Sequence, residues 1–185
     1  MKVLIVDFYD SFTYNLAHYF EKLDCSVSVV RNDELDLNII SSFDKLVLSP
    51  GPGLPKEKKN LFEILENWSG KIPILGICLG MQAIGEFMGG VIQNQSIVKH
   101  GLAEKISISN HNHLFRRFPN SFSVGLYHSW EVTNISVNNS TSISENNVLM
   151  SIEFPEKKLY GVQFHPESIL TENGLEILRN FLNLN

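Results

Sequence analysis

The chain has 185 residues, of which 43% are hydrophobic and 19% charged, proportions that suit a globular protein with one sizeable core. Its net charge of −5 and the lack of any basic run longer than Lys56 to Lys59 argue against nucleic acid as a partner. No apolar run reaches the roughly 20 residues of a membrane span, and the apolar opening MKVLIVDFYD ends at an acid without a cleavage site. The expectation is a cytoplasmic chain with no membrane association.

In chain order, Lys2–Asp7 is short, apolar and rich in β-branched residues, which predicts a buried strand. Asp10 or Ser11 stands where a helix cap belongs, and Phe12, Leu16, Tyr19, Phe20 and Leu23 then recur at helical spacing. Ser26–Val30 and Lys45–Ser49 predict further strands. Leu61, Phe62, Leu65 and Trp68 mark a second helix, Pro73–Ile77 another strand, and Leu79–Met88 a helix that stops at Gly89-Gly90. Strands alternating with helices imply a parallel sheet covered on both faces.

From Val91 to Gln163 the pattern shortens. Lys105–Ser109, Phe122–Tyr127 and Val148–Glu153 read as antiparallel additions or an extended sheet edge, and the Asn- and Ser-rich stretch Asn134–Asn147 as a hairpin or exposed loop. A last helix is predicted from about Thr171 to Leu184. The expected fold is α/β, an open and mostly parallel sheet with helices on both faces plus a smaller antiparallel sheet. Residues 1–185 form a single domain in this reading.

Cys25 and Cys78 are the only cysteines, too few for a disulfide framework or a four-thiolate zinc site. Cys25 lies between a helix and a strand with no accompanying motif. Cys78 sits in Gly76-Ile77-Cys78-Leu79-Gly80, where an apolar strand runs directly into a helix. This is the spacing of a nucleophile elbow: the abrupt turn crowds the residues on either side, and glycine relieves the crowding. A thiol at a helix N-terminus is biased toward thiolate, and the freed N–H of Leu79 is placed to meet a developing oxyanion. A lone free cysteine is ordinarily a small buried apolar residue; the paired glycines at a strand-to-helix junction favour the nucleophile instead.

Near the C-terminus, the apolar run Tyr160–Phe164 ends in His165-Pro166-Glu167. Residues two apart on extended chain share a side, and Pro166 fixes the backbone between them. Glu167 is therefore placed to hold one imidazole nitrogen and leave the other for Cys78, with His165 as base. Ser49-Pro50-Gly51-Pro52-Gly53 makes a rigid turn after the third strand, and its glycines expose backbone N–H groups. Gly53 is the second candidate oxyanion donor. The chain has no phosphate-binding loop. His111 and His113 have metal-like spacing, but the polar loop around them offers no further ligand types and favours a solvated segment over a metal site.

Together these residues resemble the class I, triad-type glutamine amidotransferases, and within them the small subunit shared by anthranilate synthase and aminodeoxychorismate synthase. The resemblance covers nearly the whole chain. It runs through Val6–Leu16, Leu48–Gly53, Gly76–Gln82, Tyr127-His128-Ser129 and Gly161–Thr171. It implies L-glutamine as substrate, a γ-glutamyl thioester on Cys78, and ammonia passed to a larger chorismate-using synthase subunit. It also implies that Gly51, Pro52, Gly53, Gln82 and the backbone at Ser129 and Trp130 hold the glutamine, with no cofactor. Three positions depart from the family pattern: Phe8 stands where Asn is frequent, Trp130 where Leu is frequent, and Leu102 replaces a basic residue.

Overall fold

Strand β1 (Lys2–Asp7) divides its side chains between two cores. Val3 and Ile5 join one apolar cluster, Leu4 and Val6 the other, and all four are fully buried. That two-residue period is the signature of a strand covered on both faces. Leu16 and Phe20 of α1 (Thr13–Glu21) and Ile177, Leu178 and Phe181 of α4 (Gly174–Leu182) fill the first face. Leu61, Ile64 and Leu65 of α2 (Leu61–Trp68) fill the second, with Met81 and Ile84 of α3 (Leu79–Phe87). The computed structural model describes residues 1–185, apart from the side chains of residues 96–99.

The remaining strands are β2 (Ser26–Arg31), β3 (Lys45–Leu48), β4 (Ile74–Ile77), β5 (Val91–Ile108), β6 (Ser121–Thr133), β7 (Ser140–Ser144), β8 (Leu149–Phe154) and β9 (Leu159–Val162). They form one sheet in the order β2-β1-β3-β4-β9-β8-β7-β5-β6. Pairing is parallel from β2 through β9 and antiparallel beyond. The antiparallel strands thus continue the main sheet as its extended edge, the second of the two arrangements expected, and not as a separate smaller sheet. The joint is β9, which pairs in parallel with β4 on one side and antiparallel with β8 on the other. The last strand in the chain therefore lies beside β4, and its C-terminal end matters to the site below.

Several local expectations shift. The short segments Lys105–Ser109 and Phe122–Tyr127 are parts of the longer, 18-residue β5 and 13-residue β6, while Val148–Glu153 corresponds to β8. A pair this long stays continuous because its register slips twice, once beside Gly101, whose φ is +69°; such irregularities bend a ladder without ending it. The Asn- and Ser-rich stretch contains β7. Thr141 and Ser142 are buried there, yet satisfied across the strand pair: the hydroxyls of both lie 2.6 Å from Ser151 Oγ of β8. At α1 neither Asp10 nor Ser11 is the cap, which is Phe12. Asp7 at the end of β1 organises the turn, its Oδ1 accepting from Tyr9 N–H at 2.9 Å and Thr13 Oγ1 at 2.8 Å. Among the described residues, no helix is long and apolar enough to cross a membrane.

Candidate active site

Strand β4 ends at Ile77 and α3 begins at Leu79, so Cys78 alone turns the chain. Its φ of 51° and ψ of −101° are strained for a residue that carries a Cβ. Two hydrogen bonds hold it there. Cys78 N–H donates to Val162 O of β9 at 2.8 Å, and its carbonyl accepts from Gln82 N–H at 3.0 Å. The flanking glycines serve close packing. A Cβ on Gly76 would lie 2.3 Å from the Gly80 carbonyl carbon, and one on Gly80 would lie 2.4 Å from Leu48 O of β3. Their absence lets the first turn of α3 settle directly on two strands.

Because β9 runs parallel to β4 as its direct neighbour, the chain leaving Val162 emerges beside the elbow. His165 stands close enough to Cys78 for the thiol to help raise its pKa, and His165 Nδ1 lies 2.7 Å from Glu167 Oε1. The carboxylate can only accept, so Nδ1 carries a proton and Nε2 is the nitrogen left for the sulfur. His165 is 2% and Glu167 3% exposed. Phe12 and Tyr127 set their rings edge-on to the imidazole at centroid distances of 5.5 and 4.9 Å. His165 N–H donates to Gly125 O at 3.2 Å, and its carbonyl accepts from Thr171 Oγ1 at 2.6 Å. Both torsional freedom and water access are thereby reduced.

Burial works against a charge on His165. The hydrogen bonds to Cys78 and Glu167 and the negative charge of both partners outweigh it, and the pKa stands well above the ordinary histidine value. The arrangement suits an imidazolium held between a sulfur and a carboxylate.

The other predicted residues fall into two groups. Gln82, one turn along α3 from Cys78, is buried, and its Nε2 donates to Trp130 O at 3.2 Å and to Gln163 Oε1 at 3.3 Å. Gly51 is wedged between Phe8 and Leu79, where an added Cβ would lie 2.7 Å from Phe8 O and 2.8 Å from Leu79 Cδ2. The turn after β3 therefore abuts the start of α3. Pro52, Gly53 and Ser129 are exposed. Gly53 has φ +74°, and the Glu57 carboxylate lies against it while accepting from Leu54 N–H at 3.0 Å.

Sequence reasoning did not single out Phe12 or Tyr127 as walls for His165, nor the side chain of His128. Phe12 read as an ordinary apolar position of α1, and Tyr127 and His128 entered only as part of a resemblance. His128 is buried, with Nδ1 2.9 Å from Trp130 O and 3.0 Å from Gln95 Nε2. Burial lowers its pKa to about 4, against a raising effect from the Trp130 carbonyl and with a further lowering from His165. His113 is not part of a solvated segment, as its polar neighbours suggested. Its Nδ1 lies 2.7 Å from Glu153 Oε2, a carboxylate 3% exposed on β8. Among the described residues no group of three or more His, Cys, Asp or Glu side chains is placed to hold a metal ion.

Comparison with known proteins adds the family. The family profile "Glutamine amidotransferase class-I" matches residues 4–184. Anthranilate synthase component 2 of Pyropia yezoensis is 42% identical, the match covering 97% of this chain and 98% of that one. Aminodeoxychorismate synthase component 2 of Escherichia coli is 41% identical over 97% of this chain and 98% of its own. Among solved structures, a candidate GMP synthase component of Thermoplasma acidophilum superposes with a TM-score of 0.90 at 26% identity, covering all of this chain and 93% of that one. A strained cysteine between two glycines, a buried histidine beside it and a full-length profile match converge: the chain belongs to the class I glutamine amidotransferase family.

Proposed function

We propose that this chain is the glutamine-hydrolysing subunit of a chorismate-aminating synthase, acting in the cytosol as one domain. The observation that carries the reading is the meeting of Cys78 and the Glu167-held His165 where β4 and β9 end side by side. In the first half-reaction Cys78 Sγ attacks the side-chain amide carbon of L-glutamine. The charge moves to the amide oxygen, which the backbone N–H groups of Leu79 and Gly53 receive. His165 gives its proton to the amide nitrogen, the C–N bond breaks, and ammonia leaves a γ-glutamyl thioester. In the second half-reaction His165 takes a proton from water, whose oxygen attacks the thioester. The C–S bond breaks, and glutamate and Cys78 are restored. Glu167 holds the imidazole in the tautomer that both steps require.

Gly51, Pro52 and Gly53 on one side, and Gln82 with the backbone of Ser129 and Trp130 on the other, hold the glutamine. Ammonia passes to a larger, chorismate-using subunit. Relatives bearing the anthranilate and the aminodeoxychorismate names are equally similar, at 42% and 41% identity. Anthranilate synthase is the leading reading, and service to aminodeoxychorismate synthase, or to both, is the second.

Reconstitution with each large subunit tests this. Glutamine plus chorismate should give an aromatic amine with at least one of them. Cys78→Ser should abolish the glutamine-dependent reaction and spare the one fed with free ammonia. Hydrolysis of unrelated esters or peptides, with glutamine untouched in either complex, would overturn the reading; the identity of the aromatic product chooses between the two pathways.

A further inference from the structure

His165 stands on irregular chain. Residues 163–173, between β9 and α4, form neither helix nor strand, yet a general acid and base has to be held within about 0.5 Å of its working position. What steadies the segment is the free edge of the sheet. β6 is last in the strand order, so only β5 pairs with it. Ser123 and Gly125, two residues apart, turn their backbone groups to the open side, and the 165–172 segment satisfies them. Ser123 N–H donates to Glu172 Oε2 at 3.1 Å, and its carbonyl accepts from Glu172 N–H at 2.9 Å. Gly125 N–H donates to Thr171 Oγ1 at 3.0 Å, and its carbonyl accepts from His165 N–H at 3.2 Å.

Thr171 closes the second of these links. Its hydroxyl accepts from Gly125 and donates to His165 O at 2.6 Å. Both backbone groups of His165 are therefore tied to one residue of β6, the N–H directly and the carbonyl through a single oxygen. Thr171 and Gly125 are both buried, so water has little access to replace that oxygen. His165 O has a second donor in Ser168 N–H at 3.1 Å, but that bond lies within the segment and fastens nothing to the sheet. The approach is also close: a Cβ on Gly125 would lie 2.9 Å from Ser168 Oγ and 3.0 Å from Leu170 Cβ.

We propose that Thr171 is a positioning residue of the glutaminase reaction: its hydroxyl fixes the His165 backbone to the sheet edge at Gly125 and so sets the imidazole against Cys78. The proposal rests on the glutaminase reading above and adds to it a residue that acts through the backbone of the base. Glu172 is the lesser tie, because it is exposed and bears on Ser123, not on His165.

The test uses the complex with the synthase partner. Thr171→Val keeps the shape and removes the hydroxyl, and Thr171→Ser keeps the hydroxyl. Thr141→Val is the control, since Thr141 also buries a bonded hydroxyl, but on β7. Thr171→Val should lower kcat for L-glutamine about 10- to 100-fold and leave KM within about threefold. Thr171→Ser and Thr141→Val should both stay within about threefold of the unsubstituted kcat. A Thr171→Val effect confined to KM, or no loss beyond about threefold, overturns the proposal. So does an equal loss of kcat in Thr171→Ser or in Thr141→Val, which would mark a merely structural role. If Thr171→Val does not fold, Gly125→Ala decides from the strand side: its methyl has to push the segment outward, so kcat should fall, and an unchanged kcat overturns the proposal. If the unsubstituted complex leaves glutamine intact, the glutaminase reading itself fails. Alkylation of Cys78 by iodoacetamide, followed by peptide mass spectrometry, then decides the positioning separately. Thr171→Val should slow it about tenfold while Thr141→Val does not, and equal rates in the two overturn the proposal.

Discussion

His165 and His113 each hold a glutamate through Nδ1 at 2.7 Å, yet their surroundings give the two pairs different work. Around His165 the side chain is 3% exposed, two aromatic rings close its edges, and the Cys78 thiol stands close enough to raise its pKa. Around His113 the side chain is 29% exposed, and no sulfur or hydroxyl partner is found on the far nitrogen among its described contacts. Its glutamate is occupied elsewhere, since Glu153 Oε1 also accepts from Leu114 N–H at 3.0 Å. Burial raises the Glu153 pKa, with Leu114 and His113 opposing. The second pair fastens the 110–118 segment to β8. A histidine–carboxylate contact is therefore an orienting device in both places, and only the third partner turns one of them toward chemistry.

The comparison can be broken most directly at the two glutamates. Glu167→Gln should lower kcat for glutamine hydrolysis by about 10²- to 10⁴-fold, because the amide favours the wrong imidazole tautomer, whereas Glu153→Gln should stay within about twofold. Steady-state rates of the reconstituted complex check both, and equal losses would erase the distinction. A third histidine sharpens it further through pH. His128 stays neutral in the fold down to about pH 4, while its unfolded counterpart takes up a proton near 6.5. Stability from this residue is therefore full above about pH 6.5 and falls by about 3 kcal/mol as the pH drops from there through 4. Urea denaturation at several pH values should show that slope in the unsubstituted protein and not in His128→Asn. His165 acts with the opposite sign: its raised pKa contributes stability below about 6.5 that is lost as the pH climbs through the folded value.

Smaller effects separate the crowded elbow from the open hairpin. Gly76→Ala forces a Cβ to within 2.3 Å of backbone and should cost about 1–3 kcal/mol or more by thermal unfolding. Gly101→Ala meets nothing within 4 Å and strains only its φ of +69°, a cost of about 1 kcal/mol. Removing the fastening itself should rank last in activity but register in stability. Glu153→Leu leaves Leu114 N–H unpaired and should cost about 1–3 kcal/mol, with glutaminase rates unaffected beyond about twofold.

Much of this architecture could be read from the chain because local pattern and tertiary role agreed. The β1 alternation, the apolar spacing of α2 and the glycines about Cys78 each encode their burial within a few residues. So does the two-residue step from His165 to Glu167. Other features were hidden because their cause lies far off in sequence. The His113–Glu153 pair spans forty residues, and neither end carries a motif. Thr141 and Ser142 look like loop residues until Ser151 faces them across a strand pair. The continuity of the sheet depends on β9 pairing with β4 on one side and β8 on the other, a choice that no single segment announces. The tilt of Phe12 and Tyr127 onto an imidazole likewise follows from three elements meeting, not from any one of them.

Gln82 and His128 converge on position 130 through its peptide oxygen, not through the indole. That anchor belongs to the polypeptide itself, so evolution can exchange the residue at this place without dismantling what is tied to it. A tryptophan where a leucine is frequent then remodels the neighbouring wall while the moorings survive, and related chains can diversify there without forfeiting their shared chemistry.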